Sequence, residues 1–271
     1  MEEETKDLAQ MPPLEGFEWR GLVFPEIDCL DLTTTQNGQE IKLRSYRWPA
    51  ENERKAVVFM MHGYGSCCAQ MAVIAKYLAQ VGYEVYGMDM RGMGDSGGER
   101  GKLDTNKTIY DDYWMLIFEA CRKFKINQQK TPIFLWGRSF GGLIATNMAN
   151  TTIGKAMFAG VCLLTPYYRL FTERLYEAYK YLVPLCKVRP GHVFPCEYED
   201  MPEEYIKKYK LIFEDPRNVL FFTATTAKIW VEEQDVARGN IENSTQPVCF
   251  IAAQKDGVVR NDYIEEYSRL S

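Results

Sequence analysis

Apolar residues in this chain come in short unbroken runs that alternate with stretches of helical spacing. The runs at 56–61 (Ala-Val-Val-Phe-Met-Met), 83–88, 132–136, 159–164 and 247–253 are continuous enough to be strands buried on both faces. Between the first two, Met71, Ile74, Leu78 and Val81 share a helical face, with Gly82 as the stop. Ile109, Tyr113, Ile117, Ala120 and Phe124 mark a second helix, 142–148 and 222–236 read as two more, and another begins at 262. Strands alternating with helices of these lengths predict an α/β protein, its mostly parallel sheet covered on both faces.

Two regions break the rhythm. Over 17–48, β-rich pieces at 21–24, 30–34 and 41–46 are separated by turn residues, notably Asn37-Gly38, which predicts an antiparallel hairpin lead-in. From 166 to about 216 the chain is rich in Tyr, Leu and Phe and is interrupted by Pro184, Pro190, Pro195 and Pro202. Tyr167, Leu170, Phe171, Leu175, Tyr176 and Tyr179 suit an apolar-faced helix there. This insertion is either a helical excursion completing the core or a cap whose apolar side receives a lipid-like or aromatic group. The expected organisation is a disordered tail over 1–16 and one domain over 17–271.

Composition narrows the class. A chain of 271 residues with 46% apolar and 25% charged positions is ordinary globular protein, not a disordered one. Net charge is −5 without a lysine or arginine cluster, so no nucleic-acid partner is expected. The acidic start lacks the apolar core of a secretory signal, and no run reaches the length that spans a bilayer, so a cytoplasmic protein is expected. Eight cysteines without a Cys-x-x-Cys pair fit that compartment. Cys121, Cys162 and Cys249 lie in apolar stretches and read as small hydrophobes, and Cys186, His192 and Cys196 lack the tight spacing of a zinc site.

The chemistry collects after the strands. Gly137-Arg138-Ser139-Phe140-Gly141 stands between the 132–136 strand and the 142–148 helix and has the form of a nucleophile elbow. At this glycine and serine content the pattern is expected about 0.04 times by chance. His62-Gly63-Tyr64-Gly65, Asp89, Ser139 and Asp256 each follow a parallel strand, the edge where functional groups of open α/β sheets gather. A serine hydroxyl needs a base to act as a nucleophile, and the base needs a carboxylate, a role that Asp256 fits. Backbone N–H groups of Phe140 and Tyr64 are the expected oxyanion donors, and His62 is expected to anchor its loop.

Taken together, 62–65, 89–97, 137–142 and Asp256-Gly257 resemble the α/β-hydrolases, and most closely their monoacylglycerol lipase and lysophospholipase branch, which groups with serine aminopeptidase-like hydrolases. Asp215-Pro216 also looks like that branch. The resemblance implies Ser139 as nucleophile, Asp256 as the triad acid, Tyr64 and Phe140 as oxyanion donors, and a site-shaping loop over 89–96, with Arg91 in a structural ion pair. It implies a small-molecule lipid ester substrate, an acyl-enzyme, peripheral contact with a membrane surface through the cap, and no metal or organic cofactor. An aminopeptidase of the same fold and a catalytically inactive binding protein are the competing readings.

One departure stands out. The resemblance places the histidine base about 25–35 residues past the acid, and only His62 and His192 are present. The expectation is therefore a C-terminally incomplete sequence, with its last strand and helix missing. Otherwise 248–253 would be left as a bare apolar sheet edge.

Overall fold

The computed structural model describes residues 25–169, 184, 186–195, 215–254, 256 and 259–270. The tail over 1–16, the strand expected at 21–24, most of the insertion over 166–216, Cys196 and Gly257 lie outside them.

Seven strands form the main sheet in the order β1-β4-β6-β5-β7-β8-β11. These are β1 (Glu26–Ile27), β4 (Ser45–Trp48), β5 (Ala56–Met61), β6 (Tyr83–Met88), β7 (Ile133–Arg138), β8 (Gly160–Leu164) and β11 (Val248–Ile251). Neighbours from β6 through β11 run parallel, whereas β4 is antiparallel to both β1 and β6. Every residue of β5 is buried, as expected at the centre of a covered parallel sheet. Its side chains alternate between two cores: Val57, Phe59 and Met61 enter one, Val58 and Met60 the other.

The first core is closed by α2 (Asn106–Lys123), α3 (Phe140–Ala149), α5 (Ala224–Ile241) and α6 (Asn261–Leu270), and the second by a 3₁₀ turn (Cys68–Met71) and α1 (Ala72–Gln80). Threonines start three helices by accepting a bond from an otherwise orphaned first-turn N–H: Thr105 for α2, Thr151 for α4 (Thr152–Met157) and Thr223 for α5. The Asn37-Gly38 turn joins β2 (Thr33–Gln36) and β3 (Gln39–Lys42) as the sequence predicts, with φ of 50° and 77°. The run at 41–46 is not one strand, because Leu43 turns into the core and divides β3 from β4.

Helix α1 differs from its predicted face. Ala72, Ala75 and Ala79 are buried, while Ile74 and Val81 are exposed. Small side chains let the helix sit close to the strands, and the larger ones at the predicted spacing face outward. The insertion begins in the core, with Tyr167 and Tyr168 buried. It returns through an antiparallel ribbon of β9 (Val193–Pro195) and β10 (Phe221–Thr223) that the sequence did not suggest.

Candidate active site

The elbow forms where β7 meets α3. Ser139 has φ 52° and ψ −120°, outside the regions that non-glycine residues favour. Three backbone bonds hold it there: its N–H donates to Leu164 O, and its carbonyl accepts from Leu143 N and Tyr167 N, all at 3.0–3.1 Å. The neighbouring glycines are required by contact: a Cβ on Gly137 would stand 2.4 Å from Gly141 O, and one on Gly141 would stand 2.2 Å from Met61 O. Ser139 occupies the N-cap position of α3, yet its side chain makes no capping bond. The residue is half-buried and not interred in the core.

The 62–65 loop lies directly against it. A Cβ on Gly63 would stand 3.2 Å from Ser139 Cβ and 3.7 Å from its Oγ, so the loop packs directly on the serine side chain. Tyr64 and Phe140, the two predicted oxyanion residues, pack edge to face with ring centres 6.4 Å apart. Phe140 opens α3, where first-turn N–H groups have no intrahelical acceptor. The Tyr64 hydroxyl donates toward the carbonyl oxygens of Gly101 (2.6 Å) and Phe221 (2.9 Å).

His62 is wholly buried, and its Nε2 accepts from Met90 N at 2.9 Å, which places the proton on Nδ1, facing Gly63 O at 2.8 Å. Burial lowers its pKa to about 4. It ties two loops together as a neutral ring with both nitrogens committed to backbone. Asp89 is equally buried and accepts from Tyr46 Oη, Cys68 N and Asp95 N, while burial raises its carboxyl to about 6. Arg91 forms a two-pronged ion pair with Asp112, both bonds 2.7 Å, the structural pairing expected of it.

Asp256 follows β11 on the rim where β8 ends. Ile251 of β11 pairs with Leu164, which pairs with Arg138 beside the serine. Its Oδ1 accepts from Val259 N at 2.8 Å, which orders the turn into α6. His192 is exposed next to β9, its ring edge-on to Phe194, in the ribbon rather than the main sheet. Among the described residues no group of three or more metal-ligating side chains occurs, and Cys186 bonds Ala224 O instead.

A side-chain relay escaped the sequence reading. Arg138 Nη2 donates to Ser66 Oγ (2.6 Å), Ser66 Oγ to Gln70 Oε1 (2.7 Å), and Gln70 Nε2 to Asn218 Oδ1 (2.8 Å). It links the elbow to the segment where the insertion returns. No local signal could reveal it, because two of its bonded partners, Gln70 and Asn218, lie 148 residues apart.

Residues 52–269 match the family described as serine aminopeptidase, S33. The chain is 27% identical to the monoglyceride lipase of Rattus norvegicus over 122 residues, 44% of this chain and 37% of that protein. It is 29% identical to the monoglyceride lipase of Saccharomyces cerevisiae over 106 residues, 38% of this chain and 33% of that one. It thus aligns with little more than a third of these relatives' length. Its fold is that of a soluble variant of the Saccharomyces cerevisiae monoglyceride lipase solved with a substrate analog, with a TM-score of 0.75 and 20% identity, covering 92% of this chain and 83% of that one. The chain belongs to the serine aminopeptidase S33 family, in the monoacylglycerol lipase-like branch of the α/β-hydrolases.

Proposed function

We propose that the protein hydrolyses carboxylic esters of acylglycerols or lysophospholipids through an acyl-enzyme on Ser139. The observation that carries this reading is the Ser139 backbone, held at φ 52° with its hydroxyl left out of the helix cap and Gly63 against it. A residue held in such a conformation from three sides is the kind of strain that accompanies function. A general base takes the hydroxyl proton as Ser139 Oγ attacks the ester carbonyl, and the Phe140 and Tyr64 N–H groups take the developing oxyanion. The base passes the proton to the leaving alcohol, and water deprotonated by the same base releases the acid. Asp256 is the proposed partner of the base. Tyr64, Phe140, Tyr167, Phe222 and Trp230 pack ring against ring within the core and brace the loop that carries the proposed oxyanion donors. An apolar acyl group as the recognised part follows from the likeness to monoglyceride lipases. Contact of the 166–216 insertion with a membrane surface belongs to the same proposal, and no described helix is long and apolar enough to cross a membrane.

One observation favours a second reading. Both histidines of this sequence are placed elsewhere, His62 in backbone bonds and His192 in an exposed ribbon. A protein of this fold that binds an apolar ligand or a partner without turning it over is the alternative reading.

A fluorophosphonate probe on the protein purified at its native length separates the two. Labelling abolished by Ser139→Ala, together with release of fatty acid from a monoacylglycerol but no amine from an aminoacyl arylamide, is the expected result. Saturable fatty-acid binding with Ser139 unlabelled would reject hydrolysis in favour of the binding protein.

A further inference from the structure

Cys162 on β8 and Cys249 on β11 are direct partners in the parallel ladder. Partnered residues of neighbouring strands project from the same face, with backbones about 4.8 Å apart. That spacing lies inside the Cα window of about 4.4–6.8 Å within which two cysteines can be bridged. Both cysteines carry free thiols. Cys249 is exposed and Cys162 half-buried, so the expectation that they act as small hydrophobes fails for Cys249.

We propose that Cys162 and Cys249 form a modifiable dithiol site that a low-molecular-weight disulfide of the glutathione class closes into a cross-strand disulfide. The Cys249 thiolate attacks one sulfur of the small disulfide and releases one small thiolate, leaving a mixed disulfide. The Cys162 thiolate then attacks the Cys249 sulfur and expels the second. Two protein thiols are oxidised, one small disulfide is reduced to two thiols, and the two protons pass to those thiols.

The order follows from position. Cys249 is open to solvent, while burial and the neighbouring Cys249 thiol push the Cys162 thiol up. Once Cys249 is capped, Cys162 stands directly opposite it in the ladder and is placed to resolve the mixed disulfide. Cys67 and Cys68, adjacent in sequence, are completely buried, and Cys67 is held at about 12 by that burial, so neither competes. The new bond would join the strand leading to Asp256 to the strand whose Leu164 carbonyl holds the Ser139 N–H. The site needs no reaction at Ser139 and stands whether or not the protein is a hydrolase.

Oxidised glutathione is added to the folded chain, which is then alkylated and peptide-mapped without reduction. The expected product is a linked pair of peptides containing Cys162 and Cys249, lighter by two hydrogens, together with slower amide exchange in β11. Cys162→Ser is expected to trap glutathione on Cys249, and Cys249→Ser to leave Cys162 unmodified. Separate alkylation of both cysteines after treatment, or a wild-type mixed disulfide that never resolves, would overturn the proposal. Timed alkylation of the untreated wild type, needing no variant, must show Cys249 reacting before Cys162, and the reverse order counts against it.

Discussion

The Tyr64 hydroxyl donates to the Phe221 carbonyl oxygen at 2.9 Å, joining residues 157 positions apart. The same hydroxyl lies 2.6 Å from Gly101 O, and next to it Val219 N donates to Gly65 O at 2.8 Å. The loop facing Ser139 is thus sewn to the segment where the insertion rejoins the sheet. Tyr64→Phe keeps the ring against Phe140 and Trp230 but removes the single hydroxyl proton that the two carbonyls share. A loss of about 1 kcal/mol is expected in urea unfolding. An unchanged midpoint would mean the hydroxyl contributes nothing to that seam.

Glycine contacts at the elbow give a sharper contrast. In Gly141→Ala the new Cβ would meet Met61 O at 2.2 Å and His62 O at 2.5 Å, both backbone atoms of a central strand and its loop. Destabilisation beyond about 3 kcal/mol is expected. Gly239→Ala, in α5 with open space around it, should instead stabilise by about 0.5–1 kcal/mol. Thermal melts of the two variants side by side decide whether close approach or general glycine flexibility sets these positions.

The Arg91–Asp112 pair is buried, with each side chain 3% exposed, and fastens the 89–96 loop to α2. Asp112→Ala leaves the buried guanidinium only Thr35 O at 3.3 Å and Asp104 at 3.9 Å, and is expected to cost about 3 kcal/mol. Replacing both together, Arg91→Met with Asp112→Leu, should recover most of that loss. If the double variant is no better than the single one in denaturant titration, the pair does more than neutralise its own burial cost.

The parts that the sequence disclosed are those that local rules govern. The buried runs became parallel strands because a covered sheet demands apolar residues on both faces, and Asn37-Gly38 closed a hairpin because both residues tolerate positive φ. The elbow was legible in part for the same reason: Gly137 is dictated by Gly141 and Gly142, within a few residues of Ser139, whereas Gly141 answers to the distant Met61 and His62 carbonyls. What escaped depends on distant partners. The outward turn of Ile74 reflects how closely α1 approaches the sheet. The Arg138–Ser66–Gln70–Asn218 relay and the committed nitrogens of His62 exist only once loops from different strands meet.

Two groups buried at one edge of the sheet should oppose each other as pH changes. His62 falls from its ordinary 6.5 to about 4 because burial penalises its charged form. Its contribution is fully present above pH 6.5 and is lost as pH falls through 4. Asp89 rises from 3.8 to about 6 because burial outweighs its hydrogen bonds. Its contribution is present below 3.8 and is lost as pH rises through 6. Each amounts to about 3 kcal/mol, so between pH 4 and 6 they nearly cancel. Subtracting variants from wild type separates them. The stability difference between wild type and His62→Gln should grow with pH across 4 to 6.5, and that for Asp89→Asn should shrink across 3.8 to 6. Urea midpoints taken at half-unit steps of about 0.5 in pH measure both slopes. Parallel slopes of the same sign would mean that one of the two groups is charged in the folded protein, contrary to its burial.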